Sequence, residues 1–209
     1  MHRNVPDRVD RHPEQAAVAA KAIIAIDTAN AEDPNLIEVG GSTWPRAKYQ
    51  GVRATHWVER LKPDAEVAVH LAARAHHLRR WEIARAEYPE GRTGYHRWKR
   101  DARDAARRAI SDVLGPVGVD HVTIERVGAL VNRDDLGRDD GTQLVEDAAC
   151  LVFLETQYDE LIERLGEDKV ADAVRKTLKK MSAEAIAIAG AAVKTECGLA
   201  LLTRVAAEG

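Results

Sequence analysis

Glycines and prolines divide this chain into alanine-rich segments of helical length, and no segment alternates apolar and polar residues as a half-buried strand would. Such breaks occur at Pro34, residues 40–42, Pro63 and residues 115–118. Only 4% of the 209 residues are aromatic, so alanine, valine, leucine and isoleucine must fill the core. The pattern predicts an all-α fold, a single compact domain of about seven or eight helices over residues 13–209. A polar N-terminal tail is predicted at residues 1–12.

The charge balance and the cysteines limit the class of protein. The formal net charge is -3 at pH 7, which argues against binding of nucleic acid by the whole surface. Cys150 and Cys197 are too few for a disulfide framework, and the apolar surroundings of Cys150 favour a buried free thiol. The chain lacks both a signal peptide and the ~20 apolar residues of a membrane span. We therefore expect a soluble, cytoplasmic protein with no membrane partner.

The helix predicted from Asp64 to Trp81 carries the densest group of imidazole and guanidinium side chains. A stripe roughly 60° wide borders its apolar face and contains His70, Arg74, His77 and Trp81. Arg80 lies near the other side of this stripe. Two interpretations stay open: long polar side chains that cover apolar surface with their charged ends in water, or the floor of a site for an anionic ligand or a metal ion.

Two adjacent carboxylates, Glu146 and Asp147, directly precede the apolar run of residues 148–154. A helix that is apolar on all sides is buried on all sides. Burying an unpaired charge is costly, so these carboxylates need a cation, a metal ion or hydrogen-bond donors. A salt bridge to Arg74 or Arg80 would meet that need, and so would a metal ion held by one of the two.

Residues 91–100 mix glycines and aromatic side chains with five basic residues. Glycines allow close approach of the backbone, and arginines bind phosphate or carboxylate through two hydrogen bonds. Tyr95 and Trp98 share a helix face, so these two and Arg92 are candidate ligand contacts. A solvated helix start is the alternative. The mixture also suits an RNA strand, although aspartates follow at once.

Several segments of the chain together resemble a family of bacterial and fungal proteins, the domain of unknown function DUF4202. They lie at residues 25–35, 71–81, 88–98, 145–155 and 180–182. The string that ends in Arg80 and Trp81 is the most specific of them, and the resemblance spans about residues 20–185. The family has glutamine where this chain has His76. The resemblance therefore favours His77 as the functional histidine.

A looser similarity concerns the order of histidines and aspartate along the chain. His56, the pair His76 and His77, and the later Asp147 are similar in order to the metal ligands of helical HD phosphohydrolases. Those enzymes hold a divalent metal ion with histidines, a His-Asp pair and a later aspartate. The pair is His-His here, so the signature is broken. The similarity implies an HD-like fold with either an altered metal set of His56, His77 and Asp147 or no metal.

Three hypotheses for function follow from these observations. The first is a metal-dependent hydrolase of HD-like type that acts on a phosphorylated small molecule or nucleotide. Its catalytic residues would be His77, Glu146 and Arg80, and its anion pocket would be lined by Arg74, Arg80, Trp81, Arg92, Tyr95 and Trp98. The second is a metal-free binding module for an anionic ligand, a nucleotide or RNA. The third is a helical structural protein that forms homo-oligomers.

One geometric expectation holds whether the site is catalytic or only a structural ion pair. His77 and Arg74 should face Glu146 or Asp147 across one pocket, because the carboxylates need compensation and this helix has the most cationic groups beside a buried face.

Overall fold

The computed structural model describes residues 11–208, with side chains for residues 13–208. In this part of the chain it contains ten α-helices and one two-stranded sheet, which confirms the predicted all-α class. Of the tail predicted for residues 1–12, residues 1–10 lie outside the described part, and residues 11 and 12 already belong to the first helix. The helices are α1 Arg11–Asn30, α2 Arg46–Leu61, α3 Val67–Ala75, α4 Gly91–Leu114, α5 His121–Asn132, α6 Asp140–Thr156, α7 Tyr158–Leu165, α8 Glu167–Leu178, α9 Ala183–Ile188 and α10 Glu196–Ala207.

The short helix α3 is the centre of the fold. It packs against α1, α2, α5 and α6, and six of its nine residues are buried. Alanines form much of its surface and allow its neighbours to approach closely. Helix α2 comes close to α3 at Gly51, where an added Cβ would lie 2.4 Å from the carbonyl oxygen of Arg74. Glycine therefore sets the distance between α2 and α3.

Helix α6 contributes the apolar run that the sequence predicted to be buried. Cys150 lies in this run and is 6% exposed, so the expected buried thiol is confirmed. Burial raises the pKa of the Cys150 thiol to about 11, which keeps it protonated at neutral pH. Within residues 11–208, none of the helices combines the length and hydropathy that a membrane crossing requires.

The break predicted at residues 40–42 lies in a β-hairpin, which the sequence did not predict. Strand β1, Leu36–Val39, pairs antiparallel with strand β2, Ser42–Pro45. Gly40 and Gly41 form the turn with φ of 59° and 79°, the positive values that a tight two-residue hairpin turn favours. Each strand has only four residues, too few for a clear alternating pattern.

The helix count also exceeds the predicted seven or eight. Residues 142–165 contain neither glycine nor proline, so the sequence predicts one helix there. The segment forms two helices, because Gln157 leaves the helical region with φ of -134° and separates α6 from α7. The sequence also predicts one final, Ala-rich helix after Ser182. Two helices follow instead, α9 and, after the 3-10 segment Ala189–Ala192, α10.

Ser182, with Glu184 close behind it, predicts a helix start, and Ser182 is the N-cap of α9. Its hydroxyl accepts a hydrogen bond from the backbone N–H of Ala185 at 3.2 Å. We expect Ser182→Ala to lower the free energy of unfolding by about 1 kcal/mol, because this helix end loses its cap. Urea denaturation measures the change. Ser111→Ala, on an exposed position of α4, is the control and should not destabilise, since alanine is a better helix former than serine. Equal stability of the two variants would contradict the cap.

Candidate functional site

The chain turns sharply where α3 ends, and this turn builds one side of a cavity. The sequence predicted a helix that continues to Trp81, but α3 ends at Ala75. His76 Nδ1 lies 2.7 Å from the carbonyl oxygen of Ala73 and so satisfies a free carbonyl at the helix end. Arg79 then adopts a left-handed conformation with φ of 49°. The chain is redirected towards α4.

The polar stripe predicted on a continuous helix is therefore wrong. Arg74 is still helical, but His77 lies in the turn and Trp81 lies in a separate 3-10 segment, Arg80–Glu82. Arg74 points to α1, where its Nε lies 2.6 Å from Oδ1 of Asp27. These side chains thus have different surroundings and do not form one site floor.

A cavity of about 450 Å³ lies between this turn, α4, the end of α5 and α6. Alanines, Ile83 and Val131 give it apolar walls, and Tyr95 and Trp98 give it an aromatic wall. Six cationic side chains and one carboxylate, Glu146, line it, which leaves an excess of five positive charges. The cations are Arg79, Arg80, Lys99, Arg103, Arg133 and Lys180.

Glu146 is a buried carboxylate that lies close to two of these cations. Its side chain is 4% exposed, it forms an ion pair with Arg133, and its Oε1 lies 3.6 Å from Nζ of Lys180. A salt bridge from one of the two carboxylates to Arg74 or Arg80 was one of the open interpretations, but the partners of Glu146 are Arg133 and Lys180. Arg133 ends α5 in a left-handed conformation, with φ of 59°, and reaches Glu146 from there.

The aromatic wall is held in place by specific contacts. The guanidinium of Arg80 lies 5.0 Å from the centre of the Trp98 ring, within the range of a cation–π contact. The indole N–H of Trp98 donates to the carbonyl oxygen of Ile83 at 3.0 Å. Tyr95 lies beside Trp98, with ring centres 5.8 Å apart. The cavity therefore combines a fixed aromatic face with a guanidinium.

Burial and neighbouring positive charges disfavour the cationic forms of two arginines in the cavity. Burial lowers the pKa of the Arg80 guanidinium. Burial, and then the positive charges of Arg80 and Arg103, lower the pKa of Arg133. Both arginines stay protonated, so the direction of these changes indicates desolvation and repulsion between like charges. A bound anion would relieve both.

His76, rather than His77, lines the cavity. His76 is 6% exposed, and burial lowers its pKa to about 4, so its imidazole is neutral at neutral pH. His77 packs against it with ring centres 4.1 Å apart and has Nδ1 2.8 Å from Oε1 of Gln50. Burial and the neighbouring His76 also lower the pKa of His77. The choice of His77 from the sequence thus selected the histidine that lies outside the cavity lining.

The predicted metal ligands are not brought together. His56 is exposed on α2, and His77 is bonded to Gln50. Oδ1 of Asp147 accepts hydrogen bonds from Nε2 of Gln143 at 2.9 Å and from the backbone N–H of Ser182 at 2.8 Å. Among residues 13–208, no three His, Cys, Asp or Glu side chains are grouped so as to hold a metal ion. The set His56, His77 and Asp147 does not fit a bound metal.

Half of the six predicted ligand contacts line the cavity. Arg80, Tyr95 and Trp98 line the cavity, whereas Arg74, Trp81 and Arg92 do not. Arg92 is exposed near His96, with 3.4 Å between Nε and Nε2. Six further residues line the cavity that the sequence did not predict as ligand contacts: His76, Arg79, Lys99, Arg103, Arg133 and Lys180.

A helical signal existed for two of the missed residues. Lys99 follows Tyr95 by four positions and Arg103 follows Lys99 by four, so they share a face of α4 with the aromatic pair. Arg133 and Lys180 had no such local signal, because they meet Glu146 only through the tertiary structure.

Comparison with known proteins gives one match. A family model described as a domain of unknown function (DUF4202) matches residues 20–201. No significant match was found among curated proteins, and none among solved structures. The matched range includes every residue that lines the cavity.

Proposed function

Because the chain belongs to the DUF4202 family, whose description assigns no activity, we propose a function from the cavity itself: it binds a small phosphorylated ligand that carries a planar ring. One observation carries this proposal. Six cationic side chains and one carboxylate surround a cavity of about 450 Å³. Such an excess of positive charge in a partly desolvated space is stabilised when an anion enters it.

The charge in the cavity is local and is not a consequence of composition. The whole chain has a formal net charge of -3, whereas the cavity lining has an excess of five positive charges. Four of the six cations are arginines, whose guanidinium groups suit the paired oxygens of phosphate better than lysine does. Glu146 holds Arg133 and Lys180 in position before a ligand arrives. This preorganisation lowers the entropic cost of binding.

The aromatic wall supports a ligand with a planar ring. Tyr95 lines the cavity, is 45% exposed and lies beside Trp98, so part of its side chain is accessible to a stacking partner. Stacking of a nucleobase on an aromatic side chain contributes about 1–3 kcal/mol. A nucleotide combines such a ring with a phosphate, and it is the ligand class that fits both features of the cavity.

The first hypothesis from the sequence, an HD-like hydrolase, would use the same anion pocket to bind its substrate. It also requires a group that activates water, and the residues predicted to hold a metal ion for this purpose have other partners: His77 bonds to Gln50, and Asp147 bonds to Ser182. We therefore limit the proposal to binding. An RNA end presents the same phosphate and ring, and it forms a separate arm of the test.

We expect Arg103→Ala to weaken the binding of inorganic pyrophosphate and of a purine nucleoside monophosphate at least tenfold. The reason is the loss of one charge-assisted hydrogen bond, worth about 1.5–3 kcal/mol. Arg103 is exposed, so the substitution should leave the fold intact. Isothermal titration calorimetry at constant ionic strength measures both dissociation constants.

Arg108→Ala is the matched control for this experiment. Arg108 is exposed on the same helix and carries the same charge, but it does not line the cavity. Its substitution should change the affinity by less than about twofold, since exposed charges at a distance are screened by salt. Absence of binding to the wild-type chain, or equal effects of the two substitutions, would overturn the proposed site. Tighter binding of a short RNA than of the mononucleotide would identify RNA as the ligand.

A further inference from the structure

The cavity holds more positive charge than a single phosphate group can neutralise. Arg79 lies 3.8 Å from Glu82, and Arg133 and Lys180 share the one carboxylate of Glu146. The other three cations of the lining have no carboxylate within 4.0 Å among the residues that the structure describes: Arg80, Lys99 and Arg103. A phosphate monoester carries about 1.5 to 2 negative charges at neutral pH, whereas the lining has an excess of five positive charges. The charge of the cavity therefore fits a ligand with more than one phosphate.

The aromatic wall and part of the cationic lining lie at different positions along α4. Tyr95 precedes Arg103 by eight positions, which corresponds to about 12 Å along the helix axis. The backbone carbonyl of Arg103 accepts a hydrogen bond from Nδ2 of Asn132 at 3.2 Å, so the end of α5, with Arg133, lies beside this turn of α4. A ring stacked on Tyr95 therefore leaves Arg103 and Arg133 to the part of the ligand farthest from the ring.

Lys180 adds a third cation to this part of the cavity. Arg133 and Lys180 both approach the buried carboxylate of Glu146, one from the end of α5 and the other from the segment before α9. Nζ of Lys180 is 3.6 Å from Oε1 of Glu146, which is too long for a hydrogen bond, and the lysine side chain is 55% exposed. The ammonium N–H groups of Lys180 are therefore available to the oxygens of a ligand.

We propose that the cavity binds a nucleoside di- or triphosphate free of Mg²⁺, with the terminal phosphates at Arg103, Arg133 and Lys180. This inference rests on the proposed function, because it names the ligand class of the same cavity. Each phosphate added to the chain brings negative charge and oxygen acceptors to cations that a monophosphate leaves without a partner.

Mg²⁺ competes with these side chains for the same phosphate oxygens. Nucleotide sites that use Mg²⁺ hold it with carboxylates as well as with the phosphates. Glu146 is the one carboxylate among the described residues that line the cavity, and it already lies beside two cations. A nucleotide that arrives with Mg²⁺ would place a divalent cation among guanidinium and ammonium groups, where like charges repel it.

The experiment is isothermal titration calorimetry of the full chain with adenosine monophosphate (AMP) and adenosine triphosphate (ATP) at neutral pH and equal ionic strength. With EDTA present, ATP should bind at least about tenfold more tightly than AMP, the effect of one or more additional hydrogen bonds between charged groups. Excess MgCl₂ should weaken the binding of ATP about tenfold or more, because it removes those contacts. The affinity for AMP should change by less than about twofold, because AMP binds Mg²⁺ only weakly and its exposed charges are screened.

Lys180→Gln tests where the terminal phosphates lie. This substitution removes one charge and keeps the approximate length of an exposed side chain. It should weaken the binding of ATP more than that of AMP, so that the ratio of the two dissociation constants with EDTA falls about fivefold. Lys179→Gln is the matched control, because Lys179 is the exposed neighbour with the same charge and does not line the cavity. It should keep the wild-type ratio.

The wild-type chain alone can refute this inference, whether or not the variants fold. Equal affinities for AMP and ATP, or an affinity for ATP that Mg²⁺ leaves unchanged or raises, would overturn it and leave the proposed function intact. A folded Lys180→Gln variant that keeps the wild-type ratio, or an equal effect of Lys179→Gln, would also overturn it. Absence of binding of AMP, ATP and pyrophosphate would overturn the proposed function instead.

Discussion

Arg133→Ala is expected to lower the free energy of unfolding by about 3 kcal/mol, because it leaves the buried carboxylate of Glu146 without its main partner. Glu146 is 4% exposed and forms an ion pair with Arg133. Breaking a buried pair typically costs 3–5 kcal/mol, and we take about the lower end because Lys180 stays 3.6 Å from the carboxylate and Arg133 is partly exposed. The same substitution should weaken anion binding, because Arg133 lines the cavity.

Chemical denaturation of Arg133→Ala and of Arg138→Ala measures this effect. Arg138 is an exposed arginine in the same loop, and its substitution should change the stability by less than about 0.5 kcal/mol. Arg133 has φ of 59°, a conformation that is unfavourable for alanine and for arginine alike. The loss of stability in Arg133→Ala therefore reports the ion pair rather than backbone strain. Equal stability of the two variants would show that Glu146 does not depend on Arg133.

Asp147→Ala is expected to lower the free energy of unfolding by roughly 2–3 kcal/mol without changing the affinity for anions. The Asp147 side chain is buried, and its Oδ1 accepts hydrogen bonds from Gln143 and from the backbone N–H of Ser182. Removing the carboxylate leaves both donors without this acceptor and weakens the attachment of α9 to α6. Asp147 does not line the cavity, so a ligand should be bound as before.

Asp147→Asn provides a graded comparison for this prediction. Its amide oxygen can still accept both hydrogen bonds but carries no charge, so both are weaker. Its stability should therefore lie between those of Asp147→Ala and the wild-type chain. Denaturation and calorimetric titration with pyrophosphate measure the two quantities separately. A loss of anion affinity in a folded Asp147→Ala variant would place Asp147 in the site after all and would favour the metal-dependent hydrolase hypothesis.

The sequence alone predicted the elements whose signals are local. Helix boundaries are marked by Pro63, Gly115 and Ser182, through their own backbone angles or hydrogen bonds. The structure has a helix end near each of the three. The apolar run around Cys150 predicted burial, because no face of that helix offers polar groups to water. Tyr95 and Trp98 were placed on one helix face by their spacing alone, and both line the cavity.

The partners of the charged residues depend on contacts that no local pattern encodes. Arg74 pairs with Asp27, 47 positions away, rather than with a carboxylate of α6. Glu146 pairs with Arg133 and lies near Lys180, two residues that the sequence did not single out. A buried carboxylate requires a cation, and the sequence shows that need, but the packing of helices determines which cation reaches it.

The end of α3 shows most clearly the difference between what local sequence signals predict and what tertiary contacts decide. Residues 76–81 have no proline or glycine, so helical propensity alone extends the helix to Trp81. In the folded chain the His76 imidazole bonds to the Ala73 carbonyl and Arg79 adopts a left-handed conformation, which brings Arg80 to Trp98. The sequence by itself determined the all-α class, most helix boundaries and the aromatic side of the cavity. Only the tertiary structure decided that His76 and not His77 lines it, because small local preferences are outweighed where side chains of distant segments pack together.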